Sequence, residues 1–125
     1  MRAAKAKNLI PAPASQGRGF YLKIIVFNLA ELEGFDWDDG NVQKSQIKHR
    51  IAVAEAEQLF LNEPEILADE KHSGQEKRWL AFGCTDEGKL LSCAFTIRGK
   101  LIRVISIRPM SRSERKWHEE KHPIR

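Results

Sequence analysis

The sequence has few cysteines and no long apolar run. Its two cysteines, Cys84 and Cys93, fall on strands that the pattern predicts to be neighbours, and no secretory segment is evident. One such pair is weak support for a disulfide, so we expect both thiols to be reduced and the protein to be cytoplasmic. The longest apolar stretch, near Ile24 to Phe27, is far shorter than the roughly 20 residues that span a bilayer. We therefore expect no membrane anchor.

Several motifs that would mark an enzyme class are also missing. The sequence contains no zinc-ligand spacing, no phosphate-binding glycine loop and no nucleophile elbow. His118 and His122 have the spacing of a helical metal pair, but no further ligand lies nearby in the sequence. We expect neither a cofactor nor a metal.

Charge is unevenly distributed along the chain. Residues 1–30 contain five Lys or Arg and no acid, residues 31–96 contain seven against fourteen, and residues 97–125 contain nine against three. Clustered cations attract phosphate regardless of sequence. The basic C-terminal block suits RNA or DNA, an acidic protein partner, or a solvated helix face with no ligand.

Composition divides the chain into a tail and a domain. Residues 1–19 have few large apolar side chains, and Phe20 to Leu29 fits either a strand or a short helix. We expect residues 1–30 to be a disordered basic tail or a start-site extension. Residues 31–122 are expected to form one compact domain.

Local signals predict the elements of that domain. Asp38 or Asp39 can begin a first helix, and Ser111-x-x-Glu114 is a capping box that begins a last one. Glycine-containing turns at residues 86–88 and 98–100 separate strand-like runs into an antiparallel meander. The predicted helices are 41–49, 53–61 and 112–121, and the predicted strands are 78–85, 89–96 and 101–107, with a possible fourth at 65–68. The fold class is α+β, with N-terminal helices packed on a three- or four-stranded antiparallel sheet, followed by a C-terminal helix.

Two histidines are candidates for proton transfer. Lys48-His49 closes the first helix, where the helix dipole favours imidazolium, although a charge that only caps carbonyl groups is the simpler interpretation. Lys71 and His72 lie in a polar loop that either contacts a phosphate or is an ordinary connection.

The predicted sheet carries arginines suited to phosphate. A guanidinium binds two phosphate oxygens at once, which stabilises charge in a phosphorane. Arg103 and Arg108 are an odd number of residues apart, so in a regular strand they would face opposite sides. Either a bulge lies between them, or Arg108 has left the sheet at Pro109, or only one belongs to a site. Pairing with acids on the helices is the alternative role for these arginines and for Arg78.

Several motifs together resemble the BrnT family of bacterial ribonuclease toxins. They are Phe35-Asp36-Trp37-Asp38, Lys48-His49, the loop Asp69 to Ser73, and Phe95-Thr96-Ile97-Arg98-Gly99, within a span of about residues 33–120. The resemblance implies a RelE-like fold and a metal-independent ribonuclease that arrests growth by cutting RNA. It also implies a cognate ribbon-helix-helix antitoxin, similar to BrnA, which binds the toxin and operator DNA. Our hypothesis for the site assigns proton transfer to His49, with His72 or Lys71 as its counterpart, and phosphate binding to Arg78, Arg103 and Arg108. The catalytic residues are thus His49, His72, Arg78, Arg103 and Arg108, and the RNA-binding residues are Lys48, Lys71, Thr96, Arg98, Arg112 and Arg115.

Four positions depart from the family pattern. Arg50 stands where the pattern has glycine, Cys84 where it has arginine, Pro109 where it has aspartate and His118 where it has tyrosine. These departures favour, as the alternative, a non-catalytic basic module that pairs with an antitoxin-like DNA-binding partner.

Overall fold

The computed structural model describes residues 3–4, 9–11, 21–23, 27–28 and 31–121, without the side chains of residues 1–30 and 45–48. Strand β1 (Ala3–Ala4) pairs with β4 (Phe27–Asn28), and β2 (Leu9–Pro11) pairs with β3 (Tyr21–Lys23), both antiparallel. Of the two alternatives for residues 20–29, the described pieces are strands. The rest of the first 30 residues lies outside the described part, so the disordered tail stays a prediction.

The remaining elements follow the local signals closely. The predicted second and third helices and the possible fourth strand are confirmed with the same bounds, and the other predicted elements differ by one or two residues at their ends. In order, the elements are β5 (Gly34–Phe35), α1 (Asp39–His49), α2 (Val53–Leu61), β6 (Glu65–Ala68), a 3-10 turn (Glu70–His72), β7 (Trp79–Cys84), β8 (Leu90–Arg98), β9 (Leu101–Pro109) and α3 (Arg112–Lys121).

The sheet has five strands, in the order β5-β9-β8-β7-β6, and is mixed. The meander from β6 to β9 is antiparallel, but β5 runs parallel to β9, with Gly34 opposite Leu101 and Phe35 opposite Ile102. The expectation of a wholly antiparallel sheet of three or four strands was therefore wrong. Strand β5 has only two residues, which is too short to show an alternating pattern, and its partner β9 lies far along the chain. No local pattern therefore predicts β5.

Helices cover both faces of this sheet. Helix α2 buries Ala56, Leu59 and Phe60 on one face, in a core that includes Ala81 and Cys93. Helix α3 packs on the opposite face, where Trp117 meets Phe82 with ring centroids 5.1 Å apart. The resemblance led us to expect the terminal helix beside the sheet, and the structure places it across the second face.

An aromatic chain fills the core under α2. Phe60 meets Phe35 and Phe95 edge to face, with centroids 5.7 and 4.9 Å apart, and Phe95 stacks on Trp79 at 5.9 Å. These distances are typical of favourable aromatic pairs. Phe95 is fully buried, and Trp37 and Trp79 pack against the same cluster.

A bulge interrupts β9 at Ile105. Ala94 lies opposite Ser106, whereas the next residue, Phe95, lies opposite Val104, so Ile105 is the extra residue. One extra residue reverses the alternation of side chains beyond it. The structure thus contains the bulge that was one of the alternatives for Arg103 and Arg108, and it places both residues on the same face of the sheet.

The departure at Arg50 keeps a left-handed backbone. Arg50 follows the last residue of α1 and has φ of 55°, in the region where glycine is preferred because a side chain is strained there. At the start of α2, Ala52 offers no side-chain cap, and only the Glu55 carboxylate accepts the Ala52 N–H, at 3.0 Å. The local geometry therefore persists without the residues that normally stabilise it.

The two cysteines are free and cannot pair in this fold. Cys93 lies opposite Ala81 in the α2 core, whereas Cys84 lies opposite Leu90. Leu90 and Cys93 are three positions apart on β8, which puts the thiols on opposite faces and about 10 Å apart along the strand. Burial raises the pKa of the Cys93 thiol.

Candidate functional site

The second face of the sheet is only partly covered by α3. Helix α3 packs over the region of Leu80, Phe82 and Met110, towards the end of β9. At the other end, near the start of β9, an open cleft of about 290 Å³ remains. We call it the arginine cleft; it is lined by Gly40, Asn41, Lys44, Glu76, Arg78, Thr96, Arg98, Arg103, Val104 and Ile105.

Helix α1 forms one wall of the arginine cleft. Beyond the short β5, the buried Asn41 side chain continues the edge of the sheet by donating to the backbone oxygens of Val104 at 3.1 Å and Asp36 at 3.0 Å. The Asp38 carboxylate accepts the Asn41 N–H at 3.1 Å, which fixes the start of the helix. These bonds hold the first turn of α1 against β9.

Arg103 is held in the cleft by two carboxylates. Its guanidinium lies 2.8 Å from an Asp38 oxygen and 3.5 Å from an Asp36 oxygen, and its side chain is 18% exposed. The Asn41 N–H and then Arg103 lower the pKa of the exposed Asp38 carboxyl. A phosphate that reaches Arg103 therefore competes with two acids of this chain.

Arg98 has one such competitor. Its Nε donates to Glu76 at 2.9 Å, and both side chains are well exposed. This hydrogen bond lowers the pKa of Glu76 and raises the pKa of Arg98. Exposed pairs of this kind are worth at most about 1 kcal/mol, so a phosphate can displace the carboxylate.

Arg78 and Lys44 form no ion pair with a carboxylate among the described residues. The charge of Arg78 nevertheless contributes, after the Arg98 hydrogen bond, to the lowered pKa of Glu76. The backbone of Arg78 is fixed, because its N–H donates to the Ser73 hydroxyl at 3.0 Å and its carbonyl accepts the Asp69 N–H at 3.0 Å. The buried Thr96 hydroxyl donates to the Lys77 carbonyl at 2.7 Å, so it holds this segment rather than pointing a free donor at a ligand.

An Asp–His pair adjoins Arg78. The His72 Nδ1 lies 3.1 Å from both oxygens of Asp69, whose side chain is 4% exposed, while that of His72 is 52% exposed. Asp69 and Arg78 are neighbours across β6 and β7, and the alternation of these strands puts both on the face of the arginine cleft. The structure therefore brings His72, Arg78, Arg98, Arg103 and Thr96 of the predicted site residues to one end of the sheet.

His49 does not join this group. Lys44 lines the cleft, and His49 is five residues later on α1, which rotates it about 140° around the helix axis. No hydrogen bond or ion pair within the described residues joins the His49 ring to a cleft residue. Lys48, four residues after Lys44, continues the cleft side of the helix, although its side chain lies outside the described part. Lys71 is exposed on the 3-10 turn beside His72.

Arg108 pairs with an acid of α3. Its guanidinium donates to both oxygens of Glu114, at 2.6 and 2.8 Å, and Glu114 is fully buried. Glu114 also accepts the Ser111 N–H at 2.9 Å, which confirms the capping box. The pairing with a helix acid is thus the role that the structure shows for Arg108. Arg112 and Arg115 are exposed on α3 and do not line the cleft.

Three of the four departures lie away from the arginine cleft. Cys84 and Pro109 end the strands whose other ends border the cleft, and His118 lies on α3. None of the three lines the cleft. They leave its cations and the Asp–His pair in place.

Sequence reasoning missed several residues of the cleft. No sequence motif includes Asn41, Lys44 or Glu76. Each is a single polar residue on a helix or a loop, where such residues are common. Asp69 had one available signal, its position three residues before His72 in a turn. The carboxylates of Asp36 and Asp38 were quoted only as part of a motif, and their contact with Arg103 depends on the β5–β9 pairing.

One comparison with known proteins identifies a family for this sequence. The sequence model of a family described as ribonuclease toxin, BrnT, of type II toxin–antitoxin system matches residues 37–114. This span includes every residue that lines the arginine cleft, together with Asp69 and His72. A comparison with curated proteins finds no match. Within the described residues no helix is long and apolar enough to cross a membrane.

Proposed function

Because the chain belongs to the BrnT family of ribonuclease toxins of type II toxin–antitoxin systems, we propose that it cuts RNA at the arginine cleft without a metal ion. The observation that carries the proposal is a cleft that holds Arg78, Arg98 and Arg103, together with an Asp69–His72 pair whose Asp69 backbone is hydrogen-bonded to Arg78. A proton acceptor next to several guanidinium groups is what metal-independent cleavage of RNA requires.

The proposed reaction uses the ribose 2′-hydroxyl as nucleophile. The His72 ring takes its proton while the 2′-oxygen forms a bond to phosphorus, and the bond to the 5′-oxygen breaks. Because the His72 side chain is 52% exposed, solvent can return a proton to the departing 5′-oxygen, and Lys71 is the nearest candidate on the chain to assist. The products carry a 2′,3′-cyclic phosphate and a 5′-hydroxyl.

The arginines stabilise the phosphorane that forms in between. Arg78 is available at once, because no described carboxylate pairs with its guanidinium. Arg103 and Arg98 engage the phosphate when it displaces Asp38 and Glu76. Arginine forks suit a trigonal-bipyramidal phosphate because they donate two parallel hydrogen bonds. Lys44 at the wall of the cleft contacts the adjacent backbone phosphate.

Membership in a type II family implies a cognate antitoxin. We extend the proposal to an antitoxin of the ribbon-helix-helix kind that blocks the cytoplasmic toxin and binds operator DNA. The exposed cations of α3, among them Arg112 and Arg115, support contact with an acidic partner or with DNA beside it.

The test is cleavage of RNA by the purified full chain in the presence of EDTA. We expect new 5′-hydroxyl ends, and we expect His72→Ala and Arg78→Ala to lower the cleavage rate at least about 100-fold. Lys116→Ala is the matched control, because it removes an exposed cation of α3 outside the cleft. Absence of cleavage by the wild type, together with retention of operator DNA in complex with the antitoxin, would favour the non-catalytic binding module instead.

A further inference from the structure

We infer that Asp69 is a positioning residue that fixes the His72 ring so that Nε2 is the atom that takes the proton. The inference rests on the proposed function, because it assigns a role within the same site. Asp69 is not among the site residues that the family resemblance implies.

The geometry singles out Asp69 among the acids near the cleft. Its side chain is 4% exposed, and both of its oxygens lie 3.1 Å from His72 Nδ1. No other hydrogen bond of this carboxylate is found among the described residues. It stands at the start of the 3-10 turn but makes no side-chain cap there. The Asp69 carboxylate is therefore buried, does not cap the turn and, within the described part of the chain, contacts only His72. We infer that its role is to orient the His72 ring.

The chemistry of the contact determines the tautomer. A carboxylate only accepts hydrogen bonds, so Nδ1 of His72 must carry the proton that is shared with Asp69. In the neutral ring the lone pair is then on Nε2. Since the His72 side chain is 52% exposed and no described residue bonds Nε2, this nitrogen remains available to a ligand or to solvent.

The turn itself holds the pair in register with Arg78. The Ser73 hydroxyl donates to the Asp69 carbonyl at 2.8 Å and accepts the Arg78 N–H at 3.0 Å. The Asp69 N–H donates to the Arg78 carbonyl at 3.0 Å. The carboxylate that orients His72 and the arginine proposed to bind the phosphate are therefore fixed to one backbone frame.

The first test is a direct measurement of the His72 tautomer. In the full chain labelled with ¹⁵N-histidine, we expect the neutral form of the His72 ring to carry its proton on Nδ1 and to leave Nε2 bare. In Asp69→Ala no side-chain acceptor remains for Nδ1–H, so we expect Nε2 to carry the proton in a larger share of the neutral rings. An unchanged ¹⁵N pattern in a folded Asp69→Ala protein would overturn the inference, whether or not the protein cleaves RNA.

The second test is a double-mutant cycle on RNA cleavage. We expect Asp69→Asn to lower the cleavage rate at least about tenfold, and to have no further effect in a His72→Ala background, because residues that act as a unit are not additive. If the loss of cleavage rate in the double variant equals the product of the losses in the two single variants, Asp69 acts independently of His72. That result would overturn the inference. Asp69→Glu, which keeps an acceptor, is expected to recover part of the activity and serves as the variant if Asp69→Asn does not fold.

The control makes the same aspartate-to-asparagine change at a carboxylate far from the cleft. Asp86→Asn alters an exposed carboxylate that accepts a hydrogen bond from Asn62 at 3.0 Å, at the end of the sheet opposite the cleft. We expect it to leave both the tautomer and the cleavage rate unchanged. Wild-type protein that shows the expected tautomer but cleaves no RNA would refute the proposed function and, with it, the catalytic purpose assigned to Asp69, while leaving the ring geometry confirmed.

Discussion

Arg103 and Arg108 lie on the same face of the sheet although five residues separate them, because the bulge at Ile105 shifts the alternation of β9 between them. They nevertheless face different partners. Arg103 meets the exposed Asp38 and the half-buried Asp36 in the arginine cleft, and Arg108 meets the buried Glu114 under α3. Arg103 lines the cleft, and Arg108 joins a helix to the sheet.

Replacing the two arginines should therefore have different effects on stability and on RNA cleavage. Arg108→Ala leaves a buried carboxylate without its main partner, so we expect the free energy of unfolding to fall by about 2–3 kcal/mol. Arg103→Ala breaks only exposed or half-buried pairs, so we expect a loss below about 1 kcal/mol but a large loss of RNA cleavage. Urea denaturation and a cleavage assay on both variants check this. Folded Arg108→Ala protein without cleavage activity would contradict the separation of roles.

Restoring glycine at the end of α1 should stabilise the protein. Arg50 has φ of 55°, where a side chain is strained and glycine is not. We expect Arg50→Gly to raise the free energy of unfolding by about 0.5–1 kcal/mol. Glu87→Gly is the control, because Glu87 lies in an exposed turn without a positive φ, and we expect that change to be neutral or destabilising. Equal effects of the two changes in thermal unfolding would contradict the strain argument.

A side-chain cap at Ala52 should stabilise α2. The backbone of Ala52 is extended, as an N-cap requires, with φ of −74° and ψ of 154°. We expect Ala52→Ser to add about 1 kcal/mol, because its hydroxyl can accept a free N–H of the first turn. Ala54→Ser, inside the same helix and equally exposed, is expected to cost about 0.5 kcal/mol from helix propensity. Urea unfolding distinguishes the two signs.

Removal of the competing carboxylate at Glu76 should strengthen RNA binding. Glu76→Gln frees Arg98, and the lost ion pair is worth at most about 1 kcal/mol, so we expect about two- to fivefold higher affinity. The slope of log affinity against log salt should steepen by about 0.7 for one additional phosphate contact on single-stranded RNA. Fluorescence anisotropy in a His72→Ala background measures binding without cleavage. Glu87→Gln, which lies outside the cleft, should leave both quantities unchanged.

Acid should destabilise the fold through three exposed or half-exposed carboxyls. The folded state lowers the pKa of Asp38, mainly through the Asn41 N–H, and the pKa values of Glu55 and Glu76, mainly through Lys89 and Arg98. The folded protein therefore binds fewer protons than the unfolded chain in the acid range. Their stabilisation is complete above about pH 5 and is lost as pH falls through the lowered values. Urea unfolding between pH 3 and pH 7 should show this decline, and Glu55→Gln with Glu76→Gln should make it shallower; an unchanged slope would argue against these groups.

Local signals were sufficient to predict most of the scaffold. The meander follows from glycine turns at residues 86–88 and 98–100, and α3 follows from the Ser111–Glu114 capping box, because each signal lies within a few residues. The two-residue β5 and the bulge at Ile105 have no such signal. They arise from pairing between distant strands, and the sequence could only present the bulge as one of three alternatives.

The candidate site was predictable only as a set of residue types. Arg78, Arg98, Arg103 and His72 were singled out for their chemistry, and the fold places them at one end of the sheet. His49 was singled out by the same reasoning, but its position on α1 is turned away from Lys44. Whether a cation of the cleft is paired depends on acids that other elements contribute. Local sequence patterns do not predict such contacts, because the acids are distant in the sequence.

The parallel pairing of β5 with β9 has a consequence for the order of folding. The hairpins from β6 to β9 join residues close in sequence, whereas Gly34 must find Leu101 across more than half of the chain. Closing so long a loop carries a larger entropic cost, so this contact belongs to the late stages of assembly. The acids that restrain Arg103 arrive with that strand. A partly assembled molecule would thus expose an unrestrained guanidinium before it possesses a complete binding groove.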